Sequence, residues 1–182
     1  MDKVILFIAL SLPAIYLSKR SLFDIKSHGF PRFFSWECII ALFVANYKFW
    51  FSEPLSLNQV ISWILLAISA YMVITGVLLL RRARKPGIVR VDDNLFKFEK
   101  TTELVTTGIF KYIRHPLYAS LIFITWGIYF KHPTVIMTLV AVLSSILLWI
   151  TSAGDEKECI AYFGDSYRDY MKETKRFIPF VI

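Results

Sequence analysis

Residues 114–156, RHPLYASLIFITWGIYFKHPTVIMTLVAVLSSILLWITSAGDE, contain two apolar runs and the features that decide how these runs fold. Only the tripeptide Lys131-His132-Pro133 separates the runs. A connection of this length lets neighbouring helices fold back on each other, but it is too short to carry the chain around another element. The stretch therefore predicts an antiparallel pair of helices.

Charged residues of opposite sign flank the two runs. Pro116 suits the first turn of a helix, where its missing N–H is no loss, so Arg114 and His115 are predicted at the N-terminal end of the first run. Asp155 and Glu156 follow the second run, and an antiparallel pair returns them to the same end. A helix N-terminus carries a partial positive charge, so two basic groups there favour an anionic ligand. The alternative is that Arg114 only marks a membrane boundary and His115 is a solvated cap.

The composition indicates a membrane protein. The chain has 182 residues, of which 56% are hydrophobic and 19% are charged, and this is too apolar for an ordinary soluble domain. Several segments without Lys or Arg are long enough to cross a hydrocarbon core, which takes about 20 residues. We expect an all-α integral membrane protein with about five transmembrane helices, at residues 4–17, 33–51, 57–80, 116–130 and 133–152.

The basic residues predict the orientation of these helices. Eighteen of the 21 lie in the loop 18–32, in the segment 81–115 and in the tail after residue 152. The other three are Lys3, Lys48 and Lys131. By the positive-inside rule the N-terminus is predicted outside, and the C-terminus and the Arg-His end of the helix pair in the cytoplasm.

The polar tail predicts one more helix. Ile160, Phe163, Tyr167 and Tyr170 recur at helical spacing, which predicts a cytoplasmic amphipathic helix that continues from the last span and is interrupted at Gly164. Upstream, the pair Pro86-Gly87 predicts the end of the third helix.

Charge and cysteine usage argue against several function classes. The net charge of +7 does not indicate nucleic acid, because the basic residues cluster beside predicted membrane helices, where anionic lipids explain them. Cys38 and Cys159 are far apart and belong to no ligand motif, so neither a disulfide nor a metal site is predicted. Membrane lipids are the expected surroundings.

The C-terminal half resembles a known family. The stretch LVTTGIFKYIRHPLY (104–118), the acidic pair about 40 residues later, and FGDSYRDYMKETKRFIPF (163–180) are similar to the isoprenylcysteine carboxyl methyltransferase family and its relatives, which include phospholipid methyltransferases. The resemblance implies a pocket for S-adenosylmethionine at the cytosolic membrane boundary. By composition the chain divides into a three-helix membrane region, 1–80, and a second part, 81–182, with the last two membrane helices and the C-terminal helix; the resemblance makes this second part the methyltransferase core.

Carried over by position, the resemblance implies which residues contact the cofactor. Carboxylates can accept hydrogen bonds from its hydroxyl or amino groups, and aromatic rings can pack against adenine and the sulfonium. The implied contacts are Thr102, Glu103, Leu104, Val105, Gly108, Phe110, His115, Pro116, Leu117, Tyr118, Asp155 and Glu156.

Two departures from the family pattern concern the substrate. The first acid of the pair, usually Glu, is Asp155, and the family's substrate-facing arginine falls on Thr151. A missing arginine removes the counter-charge for a carboxylate acceptor. Arg114, Glu156 and Arg176 are the candidates for orienting the acceptor, and for an amine acceptor Glu156 would have to help remove a proton.

The expected function is transfer of a methyl group from S-adenosylmethionine to a lipophilic acceptor presented from the bilayer, such as a prenylcysteine-like carboxylate. A phosphatidylethanolamine-type phospholipid N-methyltransferase is one alternative. A membrane scaffold that binds lipid and has lost catalysis is another, which Thr151 and Asp155 leave open.

Overall fold

A computed structural model describes residues 2–83, 96 and 99–180, and the regular secondary structure in this part of the chain is entirely helical. Its only strand-like pairing is an isolated parallel bridge between Ile113 and Lys175. The all-α prediction is therefore confirmed for the described residues. The helices are α1 (Lys3–Leu22), α2 (Gly29–Asn46), α3 (Leu57–Arg82), α4 (Pro116–Tyr129), α5 (Val135–Phe163) and α6 (Asp165–Glu173), with 3-10 turns at Tyr47–Phe49 and Gly108–Lys111.

Local sequence explains where these helices begin and end. Asp2 caps α1 by accepting from the amide of Val4 at 3.1 Å, and Thr134 caps α5 in the same way. Pro116 is the first residue of α4, as predicted. Gly164 ends α5 with φ of 63°, a conformation that favours glycine, so the predicted interruption is confirmed. The helix before it is longer than the predicted span and carries the acidic cluster.

α4 and α5 form the predicted antiparallel pair. Thr138 donates to the Tyr129 hydroxyl at 3.1 Å near the connection. Further along, the hydroxyls of Thr125 and Ser144 lie 3.3 Å apart. Residue numbers thus rise on one helix while they fall on the other, and the far end of the pair brings the Arg-His and acidic clusters together.

α2 packs antiparallel to α5 and also contacts α4. The Asn46 amide donates to the carbonyl of Ile128 on α4 near the α4–α5 connection, and Ser35 shares a 2.9 Å hydrogen bond with Ser144 of α5. At the other end, a Cβ on Gly154 would lie 3.1 Å from the Cβ of His28. The N-terminal end of α2 is therefore held against the same end of α5 that carries the acidic cluster.

The helix interfaces contain small and polar side chains beside buried apolar ones, whereas the outer surface is mainly apolar. Ser62 donates to the Gly127 carbonyl at 2.6 Å, and Ser69 donates to the Ser120 carbonyl at 2.8 Å. Such interfaces let helix backbones approach closely in a medium where apolar burial gives no driving force. The outward face of α5 instead exposes a row of large apolar side chains: Ile136, Leu139, Leu143, Ile146 and Ile150. This arrangement is that of a membrane protein.

Three helices, α1, α3 and α5, are long and apolar enough to cross a membrane. α4 is apolar but has only 14 residues, fewer than the roughly 20 that a hydrocarbon core requires. The predicted count of five spans, the orientation and the division at residue 80 stay predictions. The pair Pro86-Gly87 lies outside the described residues, and α3 ends before it at Arg82.

Candidate active site

Glu156 is the centre of the cluster at the end of the α4–α5 pair that lies opposite the connection 131–133. Its Oε1 accepts from Arg114 Nε at 2.6 Å and from Arg176 Nε at 3.0 Å, and its Oε2 accepts from a second nitrogen of Arg176. Oε1 also lies 3.3 Å from Nε2 of His115. Glu156 is buried. The predicted convergence of the basic and acidic clusters is therefore confirmed as geometry.

His115 lies between two carboxylates. Its Nδ1 is 3.4 Å from Asp155 Oδ2, and its Nε2 is 3.3 Å from Glu156 Oε1. Only the doubly protonated ring can donate to both. Burial alone would lower the pKa of His115, but the hydrogen bonds to Asp155 and Glu156 outweigh it and raise the pKa above its ordinary value. The fold thus favours a charged imidazolium at the start of α4.

The segment after α6 pairs with the segment before α4. The backbone amides of Arg114 and His115 donate to the carbonyls of Lys175 and Arg176, at 2.9 and 3.1 Å, and the amide of Lys175 donates back to the Tyr112 carbonyl at 3.1 Å. These bonds fix the backbone on both sides of the cluster. They also explain why Arg176, 20 residues after Glu156, reaches it.

α6 supports the other side of the site. The hydroxyl of Tyr170 donates to the Phe110 carbonyl at 2.6 Å and so holds the 3-10 turn Gly108–Lys111 in place. Tyr167 and Tyr170 are both buried, and burial raises the pKa of each hydroxyl well above its ordinary value. Both side chains are therefore neutral donors and acceptors at physiological pH.

A cavity opens beside the cluster. Its volume is about 100 Å³, below the roughly 300 to 1,000 Å³ of typical small-molecule sites, so the interior of the cavity is narrow. The cavity is lined by Leu80, Glu99, Thr101, Leu104, Val105, Phe110, Arg114, His115, Pro116, Leu117, Tyr118, Asp155, Cys159, Phe163, Tyr167 and Tyr170.

The structure brings most of the predicted cofactor contacts to this cavity. Those that line it are Leu104, Val105, Phe110, His115, Pro116, Leu117, Tyr118 and Asp155. Four predicted contacts are not among the lining residues: Thr102, Glu103, Gly108 and Glu156. Gly108 borders a second cavity, between α3 and the 3-10 turn. Thr102 is next to the lining residue Thr101, and its buried hydroxyl has no hydrogen-bond partner among the described residues.

The three candidate catalytic residues take different positions. Arg114 lines the cavity, whereas Glu156 and Arg176 lie behind it and bind each other. Because Glu156 already accepts from two guanidinium groups and faces an imidazole, it is a poor acceptor for a substrate proton. Thr151, where the resemblance implies an arginine, is fully buried and donates to the Leu147 carbonyl of its own helix at 2.8 Å.

Seven lining residues were missed by the sequence analysis as contacts: Leu80, Glu99, Thr101, Cys159, Phe163, Tyr167 and Tyr170. Three of these, Phe163, Tyr167 and Tyr170, belong to the periodic pattern of the tail, so their helix face was a usable signal. Glu99 lies in a segment of mixed charged and aromatic residues without a clean period, and no local pattern indicated it.

A second ionic contact lies at the base of α2. His28 Nδ1 is 2.9 Å from Oε2 of Glu158. Burial alone would lower the pKa of His28, but this hydrogen bond outweighs burial and the pKa is raised. His28, Asp155 and Glu158 each offer one potential ligand atom within 4.8 Å of the others. The absence of a metal site therefore stays a prediction.

Comparisons with known proteins agree on one chemistry. The sequence profile of a family described as phospholipid methyltransferase matches residues 57–165. Methanethiol S-methyltransferase 1 of Bradyrhizobium diazoefficiens is 27% identical over 113 residues, which are 59% of this chain and 38% of that protein. Protein-S-isoprenylcysteine O-methyltransferase of Schizosaccharomyces pombe is 34% identical over 91 residues, 47% of this chain and 36% of that protein.

A third relative covers more of the chain. Methanethiol S-methyltransferase of Crocosphaera subtropica is 26% identical over 129 residues, 68% of this chain and 48% of that protein. The chain thus spans between about a third and a half of the length of these curated relatives. No solved structure matches it.

Proposed function

The chain belongs to the phospholipid methyltransferase family, and from this we propose that it is a membrane methyltransferase that uses S-adenosylmethionine and acts on a lipophilic acceptor. The observation that carries the proposal is the cavity beside the Arg-His and acidic clusters. Most of the cofactor contacts that the resemblance implies lie in the wall of this cavity. We propose that this cavity holds the donor and that its mouth lies at the cytoplasmic boundary of the membrane.

The residues present fit such a donor. Aromatic and aliphatic side chains, such as Phe110, Tyr118 and Leu104, offer an apolar wall for the adenine ring. Glu99 and Asp155 offer carboxylates for its hydroxyl or ammonium groups. The buried hydroxyl of Thr102 adds a polar atom that lacks a partner among the described residues. When bound, S-adenosylmethionine supplies an electrophilic methyl group on a sulfonium sulfur.

The side chains around the cavity orient the reactants and exclude water. His115 is held charged and fixed by Asp155 and Glu156, and Arg114 is fixed by Glu156 and by the Thr174 carbonyl, to which it donates at 2.7 Å. Fixed groups of this kind contribute by alignment, since a strong methyl donor requires no covalent intermediate.

The acceptor that this site suits best is a carboxylate, as in a prenylcysteine. A carboxylate needs no base at neutral pH, and two cations that line the cavity, Arg114 and the charged His115, can orient it. Phospholipid amine methylation is the second candidate. It is favoured by the description of the matched family, but it requires a proton acceptor, and Glu156 is poorly suited to that role.

One assay separates these acceptors. Purified protein in lipid nanodiscs is incubated with methyl-labelled S-adenosylmethionine and, separately, a prenylcysteine, phosphatidylethanolamine or a small thiol. Mild base releases the label as methanol from a methyl ester but leaves N-methyl and S-methyl groups intact. We expect base-labile label on the prenylcysteine. Base-stable label on the lipid or the thiol would overturn the carboxylate assignment and keep the methyltransferase.

A binding measurement tests the donor site independently of the acceptor. Asp155→Asn is expected to weaken binding of S-adenosylhomocysteine by about tenfold, since it loses a charge-assisted hydrogen bond. Asp169→Asn, at an exposed ion pair on α6, is the matched control and should bind as wild type. If the wild-type protein binds neither donor nor product in calorimetry, the alternative of a non-catalytic lipid-binding scaffold gains support.

A further inference from the structure

We propose that α2 completes the donor pocket: Arg32 is a positioning residue for Glu99, and Glu99 binds a hydrogen-donating group of the methyl donor. This inference rests on the proposed function. Glu99 lines the cavity beside the contacts that the sequence implied. Arg32 lies upstream of residue 57, where the family match begins, whereas Glu99 lies within the match, so the pair joins a residue outside the matched core to one inside it.

The pair is buried and directional. Arg32 is 3% exposed, and its NH1 donates to Oε1 of Glu99 at 3.2 Å, with Oε2 at 3.4 Å. Oε2 also accepts from the backbone amide of Phe96 at 2.9 Å. The carboxylate of Glu99 is therefore fixed by two donors from different parts of the chain, one on α2 and one on the segment that leads to the cavity wall.

Aromatic rings hold the guanidinium in its orientation. The guanidinium carbon of Arg32 lies 4.5 Å from the ring centroid of Phe96 and 5.6 Å from that of Trp36, one turn further along α2. The rings of Trp36 and Phe96 stack with centroids 5.8 Å apart at an interplanar angle of 11°. A planar, delocalised cation favours such contacts with aromatic rings, which a lysine ammonium would not reproduce in the same geometry.

α2 itself is fixed at this point, so Arg32 has a defined position. One turn before it, His28 binds Glu158 of α5 through both its ring nitrogen and its backbone amide, at 2.9 and 3.2 Å. The close approach of Gly154 to His28 leaves little room for a side chain at this point between α2 and α5. The geometry that reaches Glu99 is therefore set by helix packing and not by a free loop.

Glu99 retains the capacity to bind a ligand. An ionised carboxylate can accept about four hydrogen bonds, and the donors described for Glu99 are only Arg32 and the Phe96 amide. A buried ion pair by itself seldom adds stability over apolar packing of the same volume. A carboxylate held by a buried arginine at the wall of a cavity is instead suited to accept from a ribose hydroxyl or from the ammonium group of the donor.

The test is a binding experiment on three variants in nanodiscs: Arg32→Met, Glu99→Gln and the double variant. The probes are S-adenosylhomocysteine, which has both groups, and 5′-methylthioadenosine, which keeps the ribose but lacks the ammonium. Each single variant should weaken the binding of S-adenosylhomocysteine by about tenfold. If the binding of both probes weakens equally, the ribose is the partner of Glu99. If only the binding of S-adenosylhomocysteine weakens, the ammonium group is the partner.

The double variant separates positioning from a merely structural role. It removes both charges, so its unfolding midpoint should return towards the wild-type value relative to Arg32→Met, while its affinity stays lowered. Two results would overturn the inference and leave the proposed function standing. In one, the affinity of the double variant recovers together with its unfolding midpoint. In the other, Glu99→Gln binds S-adenosylhomocysteine as tightly as wild type. Wild-type protein that binds neither probe would overturn the proposed function and the inference with it. Lys172→Met, at an exposed ion pair, is the control and should bind as wild type.

Discussion

Arg176 and Glu156 form a bidentate ion pair that joins the end of the described chain to α5. Both nitrogens of the guanidinium fork contact the carboxylate, and the guanidinium carbon also lies 4.5 Å from the Trp149 ring centroid. Arg176 and Glu156 are only 16% and 6% exposed at their side chains. The pair therefore has the geometry and the burial that make the loss of one partner costly.

Replacing Arg176 should destabilise the fold at the site. Arg176→Met leaves the buried Glu156 with one guanidinium fewer, and we expect a loss of roughly 3 kcal/mol in the free energy of unfolding. Thermal unfolding in detergent measures it. The control is Arg168→Met, in an exposed i,i+3 pair with Asp165, which should change stability by less than about 0.5 kcal/mol. Equal losses for the two variants would contradict the central place of the Arg176–Glu156 pair.

The stability of the protein should fall as pH rises above neutrality. The pKa of His115 and the pKa of His28 are both raised above the ordinary value of 6.5. Above pH 6.5 the folded state therefore holds more protons than the unfolded state, so this stabilisation is complete below pH 6.5 and is lost as pH rises through the raised values. Unfolding midpoints at pH 6 to 9 measure this. His115→Gln should reduce the slope, and a midpoint that rises over this range in wild type would contradict the imidazolium assignment.

Restoring the family's arginine at position 151 should fail. Thr151 is fully buried between helices, so Thr151→Arg forces a long charged side chain into a packed interior. Overpacking and desolvation of the charge together cost several kcal/mol even when Asp155, one turn later on the same helix, pairs with the guanidinium, and we expect loss of folded protein after detergent extraction. Thr151→Val keeps the side-chain volume and removes only a hydrogen bond to a carbonyl of the same helix, so the yield of folded protein after extraction should equal that of wild type. Folded Thr151→Arg protein would show that this position can reach solvent or substrate.

Gly154 should not tolerate alanine, although it lies inside a helix. Alanine favours helix by about 1 kcal/mol over glycine, but the added Cβ would lie 3.1 Å from the Cβ and 3.3 Å from the Cα of His28, where the backbone of α2 must shift. Gly76→Ala meets only the end of the flexible Leu117 side chain at 3.1 Å. We expect a lower unfolding midpoint for Gly154→Ala and an unchanged or higher one for Gly76→Ala. The reverse order would contradict the close packing of α2 on α5.

The helix pair could be predicted because its signals are local. Proline at position 116, the short connection at 131–133 and two uninterrupted apolar runs fix the direction of α4 and α5 without any knowledge of their neighbours. The packing of α2 could not be predicted in this way. It depends on Ser35 and Asn46 meeting small or backbone partners on α4 and α5, and such partners leave no periodic trace in the sequence.

The same contrast holds for the candidate site. Arg114, His115, Asp155 and Glu156 could be placed together because the hairpin returns both flanks to one end. Their pairing could not be foreseen: Glu156, expected to act on the acceptor, is bound by Arg114 and Arg176 instead. Glu99 was missed because its significance comes from Arg32, 67 residues earlier, and only packing brings the two into contact.

The backbone pairing of Arg114 and His115 with Lys175 and Arg176 has a consequence for how the protein is made. The helices α1 to α5 are synthesised before residues 175 and 176, so insertion of the apolar helices can begin before these backbone bonds form. Biogenesis therefore separates into two stages, first integration of the bundle and then closure of the wall beside the site, and quality control could sense an inserted chain whose wall has not yet closed.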